Sequence, residues 1–209
     1  MKRIIAVLLV LVLLSPVVFA QGRQNASAVG QQIAAELRYE LKTRTPEGVR
    51  DLVQEKKEQI EQEIQSLDLP GRKAFRNQNQ ARIAVHTLIF LENLAGGIGP
   101  NVSAVAREFN NSVQATLNAE EKIEKRSRIR RFFAGGDHQA AEEINVQVYY
   151  NRERVEKLKQ LRDECSSCAE EVMDMLQEQI ENMEKEQARL EELAKKEKQS
   201  RGLLGWIWK

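Results

Sequence analysis

Beyond residue 20, the apolar residues of the chain recur at spacings of three and four along nearly its whole length. This is the period of an amphipathic helix with one buried face, and no stretch shows the strict alternation that is typical of a half-buried strand. The pattern therefore predicts an all-α fold. Because the apolar residues lie in stripes along long helices, an elongated antiparallel helical bundle is favoured over a compact globule.

Proline and glycine divide residues 21–136 into about four helices of this bundle. "TPE" at 45–47 has the order of a helix start: a hydroxyl cap, a proline whose missing N–H is not needed, and an acid at the positive end of the dipole. "LDLPGR" ends that helix near Leu69, and "GGIGP" at 96–100 breaks the next one. "FFAGGD" ends the fourth helix, with a glycine as its C-cap.

The stretch from His138 to Arg201 contains neither proline nor glycine. At 1.5 Å per residue it predicts one continuous helix of about 95 Å, so that residues 137–201 form a long coiled-coil element. Gln187 interrupts its apolar stripe, and the helix cannot bury that stripe alone. We therefore expect it to pack on the earlier helices, on a second copy of the chain or on another protein partner.

The first twenty residues have the pattern of a secretory signal. Residues 2–3 are basic, residues 4–20 are apolar apart from Ser15, and Ala20 is a small residue at the position that a signal peptidase reads. Residues 1–20 are therefore predicted to be a signal peptide cleaved after Ala20. An uncleaved anchor is the alternative, because the apolar run approaches the roughly 17–25 residues of a spanning helix. The mature protein is expected outside the cytoplasm, peripheral on the outer face of the cell membrane.

The last segment, "GLLGWIWK" at 202–209, is the most apolar and aromatic part of the mature chain and holds both tryptophans. It is too short to span a bilayer, but tryptophan is favoured at the level of lipid headgroups. The segment therefore predicts docking to a membrane or to a protein partner, and a clip folded back on the bundle is the alternative. The docking side chains are Leu203, Leu204, Trp206, Ile207 and Trp208.

One basic cluster, "EKRSRIRRFF", occupies residues 124–133. Its cations are Lys125, Arg126, Arg128, Arg130 and Arg131. At the end of the fourth helix, cations interact favourably with the negative end of the dipole. Alternatively, they contact anionic lipid headgroups while Phe132 and Phe133 dip into the interface.

Composition and missing motifs exclude several classes of function. The formal net charge is +1, with 30% charged and 5% aromatic residues, so no net field attracts nucleic acid. The sequence contains no phosphate loop, dinucleotide fingerprint, zinc-protease motif or nucleophile–base constellation. The two histidines, His86 and His138, offer no spacing that completes a metal site. We therefore expect a protein that is not an enzyme and has no catalytic residues, cofactor, metal or small-molecule substrate.

Cys165 and Cys168 form a CxxC motif. No strand precedes it, and neither a proline nor an aromatic residue shapes it as in a redox domain. Both cysteines fall on the apolar seam, so we expect small core residues or a structural disulfide, within the helix or across a dimer seam. An exchange-active dithiol is the alternative.

Residues 81–106, "ARIAVHTLIFLENLAGGIGPNVSAVA", form an apolar helical hairpin. Such a hairpin on a long-helix bundle resembles the architecture of α-helical pore-forming toxins, which implies a membrane-active protein. Arg82, His86 and Glu92 interrupt the apolar run, which suits a buried bundle tip better than a spanning segment.

The segments "RRFFAGGD" (130–137) and "GLLGWIWK" (202–209) resemble uncharacterised exported helical proteins of archaea. That resemblance implies an exported helical chain and brings no activity with it. The sequence thus predicts an exported scaffold or binding protein that acts at the cell-envelope surface through its helix faces. The membrane-active or pore-forming protein is the alternative.

Overall fold

The computed structural model describes residue 32 and residues 34–203. The chain divides into two compact units, Met1–Leu41 and Lys42–Lys209. In the first unit, residues 34–41 are helical, and all elements named below belong to the second. The predicted signal peptide at 1–20 lies outside the described residues.

The described part of the second unit is built from helices. They are α1 (Pro46–Ser66), α2 (Leu69–Asn77), α3 (Asn79–Phe90), α4 (Gly99–Lys125), α5 (Arg128–Ala134), α6 (His138–Glu164) and α7 (Glu170–Gln199). Two short 3₁₀ helices, Leu91–Asn93 and Gly96–Ile98, lie between α3 and α4. No residue in the described ranges is in a strand, and the predicted all-α class is confirmed.

Short polar side chains cap four of these helices, and three of the caps are at the starts of α1, α2 and α6. Thr45 accepts a hydrogen bond at 3.1 Å from the N–H three residues further on, as the "TPE" pattern predicts. Asp68 caps α2 in the same way at 2.9 Å, and Asp137 caps α6 at 3.1 Å. Each cap satisfies an N–H group that has no partner inside its helix, and replacing one by alanine typically costs about 1 kcal/mol.

The predicted unbroken helix over residues 137–201 is wrong. α6 ends at Glu164 and α7 begins at Glu170, although neither proline nor glycine separates them. The turn between them contains the two cysteines and the two serines of the CxxC motif. Serine side chains compete for backbone hydrogen bonds and favour turns over helix interiors, so the serine pair is a signal for this break.

Helices α6 and α7 fold back on each other as an antiparallel hairpin. Arg152 pairs with Glu191 at 2.5 Å, and Lys159 pairs with Glu184 at 2.7 Å. Residue numbers along α6 therefore rise where those along α7 fall, as in an antiparallel pair. A single straight helix cannot bury its own apolar stripe. The hairpin instead lets the stripes of its two arms bury each other, which the hydrophobic effect favours.

Two clusters of buried side chains form the core. The larger one joins α1, α3, α4, α6 and α7, with Val49, Leu88, Phe109, Leu158 and Ile180 among its members. The smaller one lies between the end of α4, the start of α6 and the end of α7, with Ile123, Ile144 and Leu190 among its members.

The apolar segment 81–106 belongs to the larger cluster. α3 stops at Phe90 after 12 residues, and α4 starts at Gly99. The segment's buried apolar residues are Ala84, Val85, Leu88, Leu91, Ala95, Val102 and Ala106. In the described part of the chain, no helix combines the length and the apolar character needed to cross a membrane.

A buried carboxylate connects α2, α4 and α7. Glu120 is 1% exposed, and its two oxygens accept four hydrogen bonds. Asn77 and Gln78 donate one each, at 2.7 and 2.8 Å, and the guanidinium of Arg189 donates two, at 2.9 and 2.7 Å. Arg189 also donates to Glu186. We call these five residues the Glu120 cluster.

Burial and pairing act against each other in this cluster. Burial raises the pKa of Glu186, and the hydrogen bond from Arg189 opposes that rise. Burial alone would lower the pKa of Arg189, but the hydrogen bonds to Glu186 and Glu120 outweigh it and raise that pKa above its usual range. Pairing therefore outweighs burial for Arg189, whereas burial outweighs pairing for Glu186.

Candidate functional site

The predicted basic cluster is divided between two helices. The sequence places it at the end of the fourth helix, but α4 stops at Lys125 and a separate short helix, α5, follows. The hydroxyl of Ser127 caps α5 by accepting a hydrogen bond from the N–H of Arg130 at 3.2 Å. α5 ends at Gly135, whose φ of 79° is a conformation that glycine adopts without steric cost. The serine cap is the signal that predicts this break.

Three apolar side chains of α5 face solvent. Ile129, Phe132 and Phe133 are 73%, 58% and 47% exposed, and α5 contributes no buried residue. The two phenylalanine rings contact each other edge to face, with centroids 5.1 Å apart. Residues at spacings of three and four share one helix face, so these side chains form a contiguous apolar face. Such a face typically marks a site of interaction with a protein or a membrane.

Three of the five predicted cations are paired with acidic side chains of the bundle. Lys125, Arg126 and Arg131 form ion pairs with Glu121, Asp137 and Glu197 respectively. Arg126 also donates to the carbonyl of Gly135 at 2.8 Å, and Arg131 donates to the carbonyl of Ile123 at 2.7 Å. The hydrogen bond to Glu121 raises the pKa of Lys125. Arg126 and Arg131 therefore hold α5 in place, whereas Lys125 pairs within α4.

The remaining two cations, Arg128 and Arg130, are exposed and form no ion pair with any described residue. Both lie in the first turn of α5, at the positive end of its dipole. Cations interact unfavourably with that end, by a few tenths of a kcal/mol. The helix-dipole explanation therefore applies to Lys125 and Arg131, in the last turns of α4 and α5, and fails for Arg128 and Arg130.

The chain beyond α7 returns to α5. The N–H of Gly136 donates to the carbonyl of Ser200 at 2.9 Å, and the N–H of Leu203 donates to the carbonyl of Phe132 at 2.9 Å. Leu203 is 52% exposed. The first predicted docking residue therefore lies beside the exposed phenylalanines, and the structure brings the start of the tail to the basic cluster.

Gly202 permits this close approach of backbone to backbone. A Cβ atom at this position would lie 2.3 Å from the carbonyl oxygen of Phe133 and 2.4 Å from the nitrogen of Gly135, so a side chain does not fit. The tail is therefore fastened to α5 up to Leu203. The other predicted docking residues, Leu204, Trp206, Ile207 and Trp208, lie outside the described residues, and their role stays a prediction.

Glu197 of α7 is a residue of this site that the sequence analysis missed. It is 4% exposed, its carboxylate pairs with Arg131, and its Oε2 accepts a hydrogen bond from the N–H of Asp137 at 2.9 Å. It thereby links α7 to α5 and to the start of α6. A signal was present in the sequence, because Glu197 lies seven residues after Leu190 and three after Ala194, on the buried stripe of α7.

The two cysteines lie at the far end of the α6–α7 hairpin from α5. They are joined as a disulfide that closes the turn, rather than within a helix or across a dimer seam. The Sγ of Cys165 lies 3.7 Å from the carbonyl oxygen of Ala95, in the connection between α3 and α4. Cys165 is buried and Cys168 is partly buried, so the disulfide forms part of the packed end of the bundle.

The histidines show no catalytic arrangement in the part of the chain that the structure describes. His86 stacks on Phe90, with ring centroids 6.2 Å apart. Burial, followed by the nearby cations Lys56 and Arg82, lowers the pKa of His86 to about 4, so this imidazole is neutral at pH 7. His138 is exposed in the first turn of α6. Within the described ranges, no three His, Cys, Asp or Glu side chains form a group that could hold a metal ion.

The chain matches no protein-family model, no curated protein and no solved structure. The resemblance to exported archaeal proteins therefore stays a prediction. The function has to be inferred from the surface itself, which combines an apolar helix face, two exposed cations that form no ion pair with any described residue, and the start of the tail.

Proposed function

We propose that the protein is an exported, non-enzymatic helical scaffold that docks peripherally on an anionic membrane. The docking surface consists of Ile129, Phe132, Phe133 and Leu203 together with the cations Arg128 and Arg130, and we call it the α5 surface. The observation that carries the proposal is the hydrogen bond between Leu203 and Phe132. It places Leu203, the first apolar residue of the tail, beside the exposed phenylalanines.

The composition of the α5 surface matches the interfacial region of a bilayer. Apolar and aromatic side chains enter the boundary between headgroups and acyl chains, while cations remain at the level of the phosphates. Each Lys or Arg near an anionic surface contributes about 1 kcal/mol, and each buried apolar Å² contributes about 25 cal/mol. Fixing a flexible residue costs about 1–2 kcal/mol, and α5 and Leu203 are already fixed by the bundle. We therefore expect weak, reversible docking that the tryptophans strengthen.

Export and the location outside the cytoplasm rest on the predicted signal peptide. The predicted binding of a protein partner or a second copy through the coiled-coil faces likewise stays a prediction. No observation favours the pore-forming alternative, because the apolar residues of its hairpin are packed in the core. A protein of the proposed kind leaves vesicles intact, whereas a pore-forming protein releases an enclosed dye.

The proposal is tested by sedimentation with liposomes. The mature protein should sediment with vesicles that contain an anionic lipid and much less with neutral vesicles, because its cations and apolar face act together. Replacing Arg128 and Arg130 by glutamine should weaken binding to anionic vesicles about tenfold or more, given about 1 kcal/mol per cation. The matched control replaces Lys57 and Lys157, two exposed cations of α1 and α6 that form no ion pair with described residues. The control should bind as the wild type does.

The tail is tested separately. Deleting residues 204–209 leaves the hydrogen bond of Leu203 in place and removes both tryptophans. We expect the deletion to abolish sedimentation, and the emission of the intact protein to shift to the blue when anionic vesicles are added. Emission that is already blue and unmoved by lipid would show a tail folded onto the bundle. Equal sedimentation of the double glutamine variant and the wild type would also contradict the proposal.

A further inference from the structure

A cavity of about 370 Å³ lies between α6 and α7, away from the α5 surface along the hairpin. Its volume falls in the range of roughly 300–1,000 Å³ that is typical of small-molecule pockets. Val155 and Ala188 provide apolar wall, and Arg152, Glu156 and Glu184 lie around it together with Gln187.

Gln187 is the unusual member of this lining. The residue is only 4% exposed, yet neither Oε1 nor Nε2 has a hydrogen-bond partner in the described part of the chain. It lies on the buried stripe of α7, four residues after Met183 and three before Leu190. Nearly all buried polar groups in native proteins are hydrogen-bonded, and an unpaired one lowers stability. A methionine would fill the same space without that cost, so the amide calls for an explanation.

The charged groups near the cavity are already paired with one another. Lys159 pairs with Glu156 at 2.8 Å and with Glu184 at 2.7 Å, and Arg152 pairs with Glu191 at 2.5 Å. A charged ligand would have to break these pairs, whereas a neutral ligand leaves them intact. The ligand that fits is therefore neutral, with an apolar part for the walls and polar groups for Gln187.

We propose that this cavity binds a carboxamide group through Gln187. An amide carries an acceptor and a donor side by side, so two amides form two hydrogen bonds with each other. Nε2 of Gln187 would donate to the carbonyl oxygen of the ligand, and Oε1 would accept from its N–H group. Two copies of Gln187 cannot pair in this way, because each is recessed below the surface. The carboxamide therefore belongs to a projecting group: a small primary amide, or an asparagine or glutamine side chain of a protein partner.

The experiment follows the methyl resonances of Val155 and Ala188 in the ¹³C-labelled mature protein without lipid, so its result does not depend on membrane docking. The probes are butyramide, pentan-2-one and butanoate. Pentan-2-one replaces the NH₂ group of butyramide by a methyl group, and butanoate replaces it by a charged oxygen. Butyramide should shift both resonances in a saturable manner. The two other probes should bind at least about tenfold more weakly, because each lacks the N–H donor of the amide.

The Gln187→Met variant keeps the volume of the side chain and removes the amide. We expect it to unfold at a temperature no lower than that of the wild type and to lose the saturable shifts. Capped glutamine and capped norleucine, both as N-acetyl N-methylamides, distinguish a small primary amide from the side chain of a protein partner as the natural ligand. Saturation by capped glutamine but not by butyramide or capped norleucine would indicate a partner side chain and would support the proposal. Equal shifts with pentan-2-one or in the variant would overturn it, as would the absence of saturation by both butyramide and capped glutamine.

Discussion

The Glu120 cluster and the α5 surface use the same residue types in opposite ways. In the Glu120 cluster, both carboxylate oxygens are filled with hydrogen bonds, and Arg189 is shared by two carboxylates. On the α5 surface, Arg128 and Arg130 have no partner among the described residues and lie beside exposed phenylalanines.

The difference separates a charge that stabilises the fold from a charge that is available for binding. A buried charge has lost its water, so it depends on its partners, and removing one partner leaves the others uncompensated. An exposed cation retains its water and contributes little to stability. Beside an apolar face, it can still add attraction to an anionic surface. The same bundle therefore contains charges whose loss should affect either folding or binding, but not both.

The largest expected effect is on the Glu120 cluster. Glu120→Ala should lower the free energy of unfolding by about 3–5 kcal/mol, because it removes one of the two carboxylates that hold Arg189 and leaves the buried amide of Gln78 without its acceptor. Urea unfolding measures this change. Glu178→Ala, at an exposed position of the same helix as Arg189, should change the free energy by no more than about 0.5 kcal/mol. Equal losses in both variants would show that the cluster does not stabilise the fold.

A smaller effect is expected at His86, where burial and cations oppose charge. Its pKa falls from 6.5 to about 4 on folding, so the unfolded chain binds the proton more tightly between these values. Stability should therefore fall as the pH decreases from 6.5 towards 4, by about 1–3 kcal/mol after allowance for partial exposure. His86→Gln should flatten this part of the curve of unfolding free energy against pH. If the variant shows the same slope of unfolding free energy against pH, groups other than His86 cause the pH dependence.

The smallest effect on stability is expected at the α5 surface. Replacing Arg128 and Arg130 by glutamine should change the free energy of unfolding by less than about 0.5 kcal/mol, and any change should be stabilising, because both cations lie at the positive end of α5. Urea unfolding of the variant used for liposome binding gives this number. A loss comparable with that of Glu120→Ala would mean that these arginines stabilise the fold, and the proposed contrast would fail.

The sequence predicts the helical class and those boundaries that local chemistry determines. Apolar residues at spacings of three and four, the "TPE" start and the cap at Asp137 act within one turn of helix, so they can be recognised in the sequence. The break between α6 and α7 has no proline or glycine to mark it, because two serines and a disulfide form the turn.

The candidate site depends on contacts that are distant along the chain. The hydrogen bond between Leu203 and Phe132 joins residues about seventy positions apart, and the pair of Arg131 with Glu197 joins residues of two different helices. No local sequence pattern determines which helix ends are in contact in the folded chain. The sequence could therefore identify the basic cluster and the tail as separate segments, but it could not predict that they lie together or which two arginines remain exposed.

The two closures of the α6–α7 hairpin differ in mechanical strength. At one end a covalent bond joins Cys165 and Cys168, while at the other end backbone hydrogen bonds hold Ser200 to Gly136 and Leu203 to Phe132. If the tail is held by a membrane and the bundle is pulled away, the load falls first on these hydrogen bonds. α7 would then unzip from its C-terminal end towards the disulfide, so a tether under tension would loosen the hairpin from the membrane-facing end and leave its far turn closed.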